Sequence, residues 1–272
     1  MAGTSSIKLA KVRPAAVAGR FYPADAIELR RLVESFLSRV RLDAAAGPKA
    51  IIAPHAGYIY SGPIAASAYA RFAPERQIIK RVVLIGPSHY VSFEGLAAPG
   101  AEAFATPLGL VPVDTEAVGR ICALPQVMVL DEAHAREHSL EVQLPFLQVV
   151  LGDFQIVPLV VHEATDEAVA RVLDALWGGP ETRCVISSDL SHYHAYSSAR
   201  ELDAATSRAI EQLRPQDIEE DQACGRIPIR GLLRAAQRHG LSARAVDLRN
   251  SGDTAGPRNQ VVGYGAFVFE TT

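Results

Sequence analysis

Cysteine is scarce in this sequence: Cys122, Cys184 and Cys224 are odd in number and far apart. That pattern excludes a disulfide framework and fits a reducing compartment. No apolar run approaches the ~18–20 residues of a membrane-spanning helix. The first residues carry Lys8, Lys11 and Arg13 but no apolar signal core. A cytoplasmic location is therefore expected. An excess of charge of one sign is also lacking, since 27 Lys and Arg stand against 30 Asp and Glu for a net charge of -3. Nothing in that balance suggests a nucleic-acid or membrane partner. Two reactive loops are missing as well. Gly252-Asp253-Thr254-Ala255-Gly256 lacks the Lys-Ser/Thr ending of a phosphate loop. Ser187, Ser188 and Ser191 sit in no Gly-x-Ser-x-Gly elbow.

What is present is material for a core. The 272 residues are 49% hydrophobic, enough for a sizeable interior. Without a low-complexity linker or a repeat of fixed period, one domain is expected over residues 13–272, after a flexible tail at 1–12. Asp25 is placed to cap a helix carrying Ile27, Leu29, Leu32, Val33, Phe36 and Leu37 at helical spacing. Short apolar runs predict strands at 50–53, 81–85 and 154–161, another starting at 184, and later ones at 242–248 and 261–269. Helices are predicted near 63–73, 114–124, 139–151, 166–177, 197–214 and 228–239. Strands alternating with helices imply a layered α/β sheet.

Three of these strands deliver a histidine just past their carboxyl ends: His55, His89 and His192. Ligands of open α/β sheets gather there, so separate strand ends can assemble one site. Imidazole and thiolate are ligands for first-row metals. His55 and His89 are the first candidates. Cys224, in the polar turn Asp221-Gln222-Ala223-Cys224-Gly225-Arg226, is either a third ligand or a small buried hydrophobe. Asp189, three residues before His192, either orients that imidazole for proton transfer or caps the following turn. A competing pattern is His134-Ala135-Arg136-Glu137-His138, an H-x-x-E-H sequence that on a helix would place two zinc ligands on one face. Glu141 and Gln143 suggest instead a polar helix start facing a pocket. Tyr60 and Phe21 are either pocket wall or core.

In order and spacing, several segments resemble the Memo family, called in bacteria and archaea AmmeMemoRadiSam system protein B. They include Val17-Ala18-Gly19-Arg20-Phe21-Tyr22-Pro23, Pro54-His55-Ala56-Gly57-Tyr58-Ile59-Tyr60-Ser61-Gly62 and Gly86-Pro87-Ser88-His89. Glu137-His138-Ser139-Leu140-Glu141, Ser187-Ser188-Asp189-Leu190-Ser191-His192 and Ala223-Cys224-Gly225 follow. The resemblance runs from Arg13 to Phe269. It implies a single-domain α/β/α sandwich with a mixed central sheet, similar to the class III extradiol ring-cleaving dioxygenases. It also implies a metal site of His55, His89 and Cys224, with His192 and Asp189 as the adjacent acid–base pair. Tyr60, Phe21, Ser88, His138 and Glu141 are the further pocket residues expected. Iron is the metal implied, with copper or zinc as alternatives, and an oxygen-dependent redox activity follows as an expectation. Thiolate in place of carboxylate means that ring cleavage itself is not simply inherited. The alternatives are a binding module for a peptide or partner in the same pocket, and a zinc hydrolase through His134 and His138. The family's name suggests a radical S-adenosylmethionine protein as partner, beside a small-molecule or peptide ligand.

Overall fold

The computed structural model describes residues 11–42 and 47–271. Of the tail expected at 1–12, residues 1–10 lie outside the described residues. The chain begins with β1 (Val12–Arg13), α1 (Ala26–Leu37), β2 (Ala50–Ala53), α2 (Tyr58–Tyr69) and β3 (Arg81–Pro87). Next come β4 (Leu96–Ala98), β5 (Ala103–Thr106), β6 (Gly109–Pro112), α3 (Thr115–Ile121), β7 (Val127–Val129) and α4 (Asp131–Ala135). Then α5 (Leu144–Val150), β8 (Gln155–Val161), α6 (Asp166–Leu176), β9 (Thr182–Ser187) and β10 (His192–His194) follow. The last elements are α7 (Tyr196–Glu211), α8 (Arg226–Arg238), β11 (Leu241–Asn250) and β12 (Val261–Thr271).

Neighbouring strands β2, β9, β3 and β8 run parallel in that order. Every residue of β2 and β9 is buried, as expected of strands covered on both faces. Antiparallel strands flank this centre: β12 pairs with β2, and β4 pairs with β8. β11 then adds antiparallel to β12, and β7 parallel to β4. The central sheet is thus mixed. A smaller sheet of β1, β5 and β6 stands apart from it. α1, α2 and α5 pack together, as do α6 and α8, with α3 against α6. This is the α/β sandwich expected from the alternation of elements. Asp25 caps α1 as expected, accepting from the amides of Ile27 and Glu28 at 3.0 and 2.9 Å.

Two boundaries differ from the expectation. The helix placed near 63–73 starts at Tyr58 and ends at Tyr69, followed by a 3-10 turn over Ala70–Glu75. Its start is fixed from outside, because the Tyr58 amide donates to the Phe21 carbonyl at 2.8 Å. Pro63 then falls inside the helix and gives no amide to the Ile59 carbonyl. Ile59 is exposed, so water can reach that end of α2. Gly62 is required by packing, since a Cβ there would collide with the Phe36 ring of α1. The amphipathic helix expected at 139–151 is a 3-10 turn, Glu141–Gln143, leading into the short α5. Pro145, at the start of α5, suits a first turn and not a helix interior.

Candidate metal centre

Strand register brings the site together. Ala53 of β2 stands level with Ser187 of β9, so His55 and Asp189 both lie two residues past paired positions. The His55 amide donates to Asp189 Oδ1 at 2.7 Å across that gap. β3, on the far side of β9, ends at Pro87 and places His89 two residues on. His138 arrives from the loop between α4 and the 3-10 turn. One ligand atom from each of His55, His89 and His138 lies within 4.8 Å of the others. The His138 ring stacks on His89, with centroids 4.5 Å apart, and meets His55 edge-on at 5.4 Å. Cys224, 169 residues from His55 in sequence, brings its Sγ to 3.2 Å from His55 Nε2.

The surrounding hydrogen bonds aim these rings. Glu137 is 1% exposed, and its carboxylate accepts from the His89 amide at 2.6 Å and from His89 Nδ1 at 2.9 Å. It also accepts from the amides of His138 and Ser139, both at 2.9 Å. Burial alone would raise the Glu137 pKa, but the His89 hydrogen bonds and charge, with the Ser139 amide, lower it to about 2. With Nδ1 given to Glu137, the His89 ring has Nε2 free for a ligand, as in metal sites where a carboxylate orients the imidazole. Nδ1 of His138 is 3.4 Å from Glu137 Oε1 but outside hydrogen-bonding geometry, and it is a buried nitrogen with no partner. Burial first, then the His55 and His89 charges, lower the His138 pKa to about 4. Burial first, then the His89 charge, hold His55 well below the usual imidazole range. Burial and the nearby Asp189 charge push the Cys224 thiol up.

These donors fit a first-row metal. Two ligands of one tetrahedral ion, at about 2.1 Å for nitrogen and 2.3 Å for sulfur, sit roughly 3.5 Å apart. The His55–Cys224 separation of 3.2 Å is close to that value. The unpartnered nitrogen of His138 is what a further ligand position would satisfy. Neutral imidazoles are the ligand form, and a bound cation would lower the thiol pKa that burial raises.

The donors open onto a cavity of about 670 Å³ that Phe21, Tyr60, Asp189, His192, Tyr193 and Tyr264 also line. Tyr193 stands at its mouth, 72% exposed, with a positive φ of 61° that L-residues seldom adopt. Of the residues read from the sequence, His55, His89, His138, Cys224, Asp189, His192, Tyr60 and Phe21 all line this cavity.

Other expectations are corrected. Glu141 does not line the cavity. It is fully buried, pairs with Arg13, and accepts from the Ala16 and Val17 amides at 2.8 and 3.0 Å. The Ser88 hydroxyl turns back to Val91, donating to its carbonyl at 2.6 Å. Asp189 hydrogen-bonds the His55 amide and not the His192 ring; burial pushes its pKa up, and the His192 charge partly offsets that. The H-x-x-E-H pattern is not on one helix, because α4 ends at Ala135. The His134 Nε2–H donates to the Ala97 carbonyl at 3.0 Å, away from His138, and this removes the paired zinc ligands that a hydrolase would need. Glu137 and Ser187, which orient His89 and His55, were not singled out for those roles in sequence. Neither carries a periodic signal that would reveal its partner.

Known proteins match this chain over nearly its whole length. The family described as Memo-like protein matches residues 13–268. A MEMO1 family protein of Ignicoccus hospitalis is 40% identical, covering 95% of this chain and 98% of the relative. One from Aquifex aeolicus is 37% identical over 95% of this chain and 99% of its own length. Another, from Aeropyrum pernix, is 40% identical over 94% and 99%.

Proposed function

The chain belongs to the Memo family, and from that premise we propose that it is a mononuclear metal protein with oxygen-dependent redox chemistry. The observation carrying this reading is the convergence of His55, His89 and His138 within 4.8 Å, beside Cys224. His55 and His89 hold the ion in this reading, and Cys224 is the third ligand, with His138 as the neighbouring donor. A mixed imidazole and thiolate set suits iron(II), and also copper(I) or zinc(II). When bound, iron supplies one-electron chemistry and an open position for oxygen or substrate.

The chain's own residues set the rest. Glu137 holds His89 in place, and the aromatic wall of Phe21, Tyr60 and Tyr264 excludes water from one side of the cavity. His192, beside the Asp189 charge, is the group that moves a proton to or from a bound small molecule. The same aromatic wall supports a second reading, in which the cavity only binds a peptide or partner. Oxygen uptake with turnover separates the two readings.

The primary test is the metal content of protein purified without oxygen. Stoichiometric iron that is lost in His89→Ala and Cys224→Ser supports the site. Iron lost in His138→Ala but retained in Cys224→Ser would move the third ligand to the imidazole. Metal that survives both His89→Ala and Cys224→Ser, or none in the wild type, would sink the reading.

A further inference from the structure

We infer that Ser187 is a positioning residue that fixes the proton of His55 on Nδ1 and so turns the Nε2 lone pair toward Cys224 and the histidine cluster. The consequence for metal binding rests on the function proposed above, while the tautomer itself rests only on hydrogen-bond geometry.

A serine hydroxyl has one proton to give and two lone pairs to receive with. Three groups surround Ser187 Oγ: the Ser139 carbonyl at 2.6 Å, Gln143 Nε2 at 2.8 Å and His55 Nδ1 at 2.8 Å. A carbonyl only accepts, so the single proton goes to Ser139. The Gln143 amide is oriented from its other contacts. Its Oε1 accepts from the Tyr69 hydroxyl at 2.8 Å, and its Nε2 donates to the Pro54 carbonyl at 3.0 Å. Gln143 Nε2 is therefore a donor toward Ser187 and fills one lone pair. His55 must fill the other by donating from Nδ1. A proton on Nε2 instead would set two lone pairs against each other. Ser139, Gln143, Ser187 and His55 are all buried, so such a mismatch would lack bulk water to relieve it.

His89 reaches the same tautomer by a different route, donating Nδ1–H to the Glu137 carboxylate. A carboxylate raises the basicity of the imidazole it holds, whereas a neutral hydroxyl mainly orients one. The two histidines are thus held differently: a carboxylate fixes His89, and His55 depends on one hydroxyl for its direction.

Long-range proton–nitrogen NMR on metal-free, nitrogen-15-labelled protein at pH 7 reads the tautomer of each ring directly. His55 is expected with its proton on Nδ1. In Ser187→Ala it should shift toward the Nε2–H form, and affinity for added Zn2+ should fall about 10–100-fold. Ser187→Thr, which keeps the hydroxyl, should restore both the tautomer and most of the affinity. Nε2–H in the wild type overturns the inference without any variant. So does a folded Ser187→Ala protein that keeps Nδ1–H and the wild-type affinity. Nδ1–H in a wild type that binds no Zn2+ would sink the metal reading alone and leave the tautomer assignment standing.

Discussion

The stretch from His134 to Glu141 divides into two sets of side chains with opposite duties. Glu137 and His138 serve the cavity: one carries four hydrogen bonds around His89 and His138, and the other joins the donor cluster. His134 and Glu141 serve the fold. Arg13 on β1 draws them together, donating from Nε to the His134 carbonyl at 3.0 Å and pairing through Nη1 with Glu141. Nη2 of the same guanidinium donates to the Glu137 carbonyl at 2.6 Å. One buried arginine therefore anchors the backbone from which the site's carboxylate hangs. Two glutamates four residues apart, almost equally buried, differ in role because one faces an arginine and the other an imidazole. Burial marks both as costly, and the partner decides what that cost sustains.

Breaking the fold side should have the largest effect. Glu141→Ala leaves Arg13 as an uncompensated buried charge and strands the Ala16 and Val17 amides. A loss of about 3–5 kcal/mol is expected for breaking such a pair, read from urea unfolding midpoints. An unfolding curve matching the wild type would show that Arg13 finds water on its own.

On the site side, Glu137→Gln keeps the shape but puts a donor where four donors already converge. Metal affinity should fall about 10–100-fold, the usual cost of losing a carboxylate behind a histidine ligand. The loss of stability should be smaller than that of Glu141→Ala. Competition titration with Zn2+ together with urea melts measures both. The contrast collapses if Glu137→Gln unfolds the protein while Glu141→Ala affects only metal binding.

Acid should separate His134 from Glu137 by pH. Burial, with Arg13 adding to it, lowers the His134 pKa to about 4, below the unfolded value of roughly 6.5. The unfolded chain then binds the extra proton first, so stability falls as pH drops from about 6.5 to 4, by roughly 1.4 kcal/mol per pH unit for this group. Glu137 has a folded pKa of about 2, so its contribution is fully present above the unfolded carboxylate value of roughly 4.3 and disappears as pH falls toward 2. Urea melts of wild type and His134→Gln at pH 7, 6 and 5 test the upper window. The variant should lose about one proton's worth of slope there, and equal slopes would mean that His134 already titrates normally in the fold.

Much of the site was legible before any fold was known. Buried apolar runs ending in Pro-His, Gly-Pro-Ser-His and Ser-Asp-Leu-Ser-His mark where parallel strands stop, and such ends are where an α/β sheet builds sites. Asp25 and Asp114 capped their helices as their spacing predicts. The start of α2 at Tyr58 was not legible, because the Phe21 carbonyl that receives its first amide lies far away in sequence.

The sequence by itself determined the order of the central strands and the helices between them, the layered class, and the histidines at strand ends, since these follow from local periodicity and turn chemistry. Only the tertiary structure decided that His138 joins His55 and His89, that Glu141 belongs to Arg13, and that Ser187 directs the His55 ring. Those outcomes depend on which donor meets which acceptor after 48 to 169 residues of intervening chain. A hydrogen-bond partner at that range leaves no period in the sequence, because it is fixed by strand register and packing and not by the residue types alone.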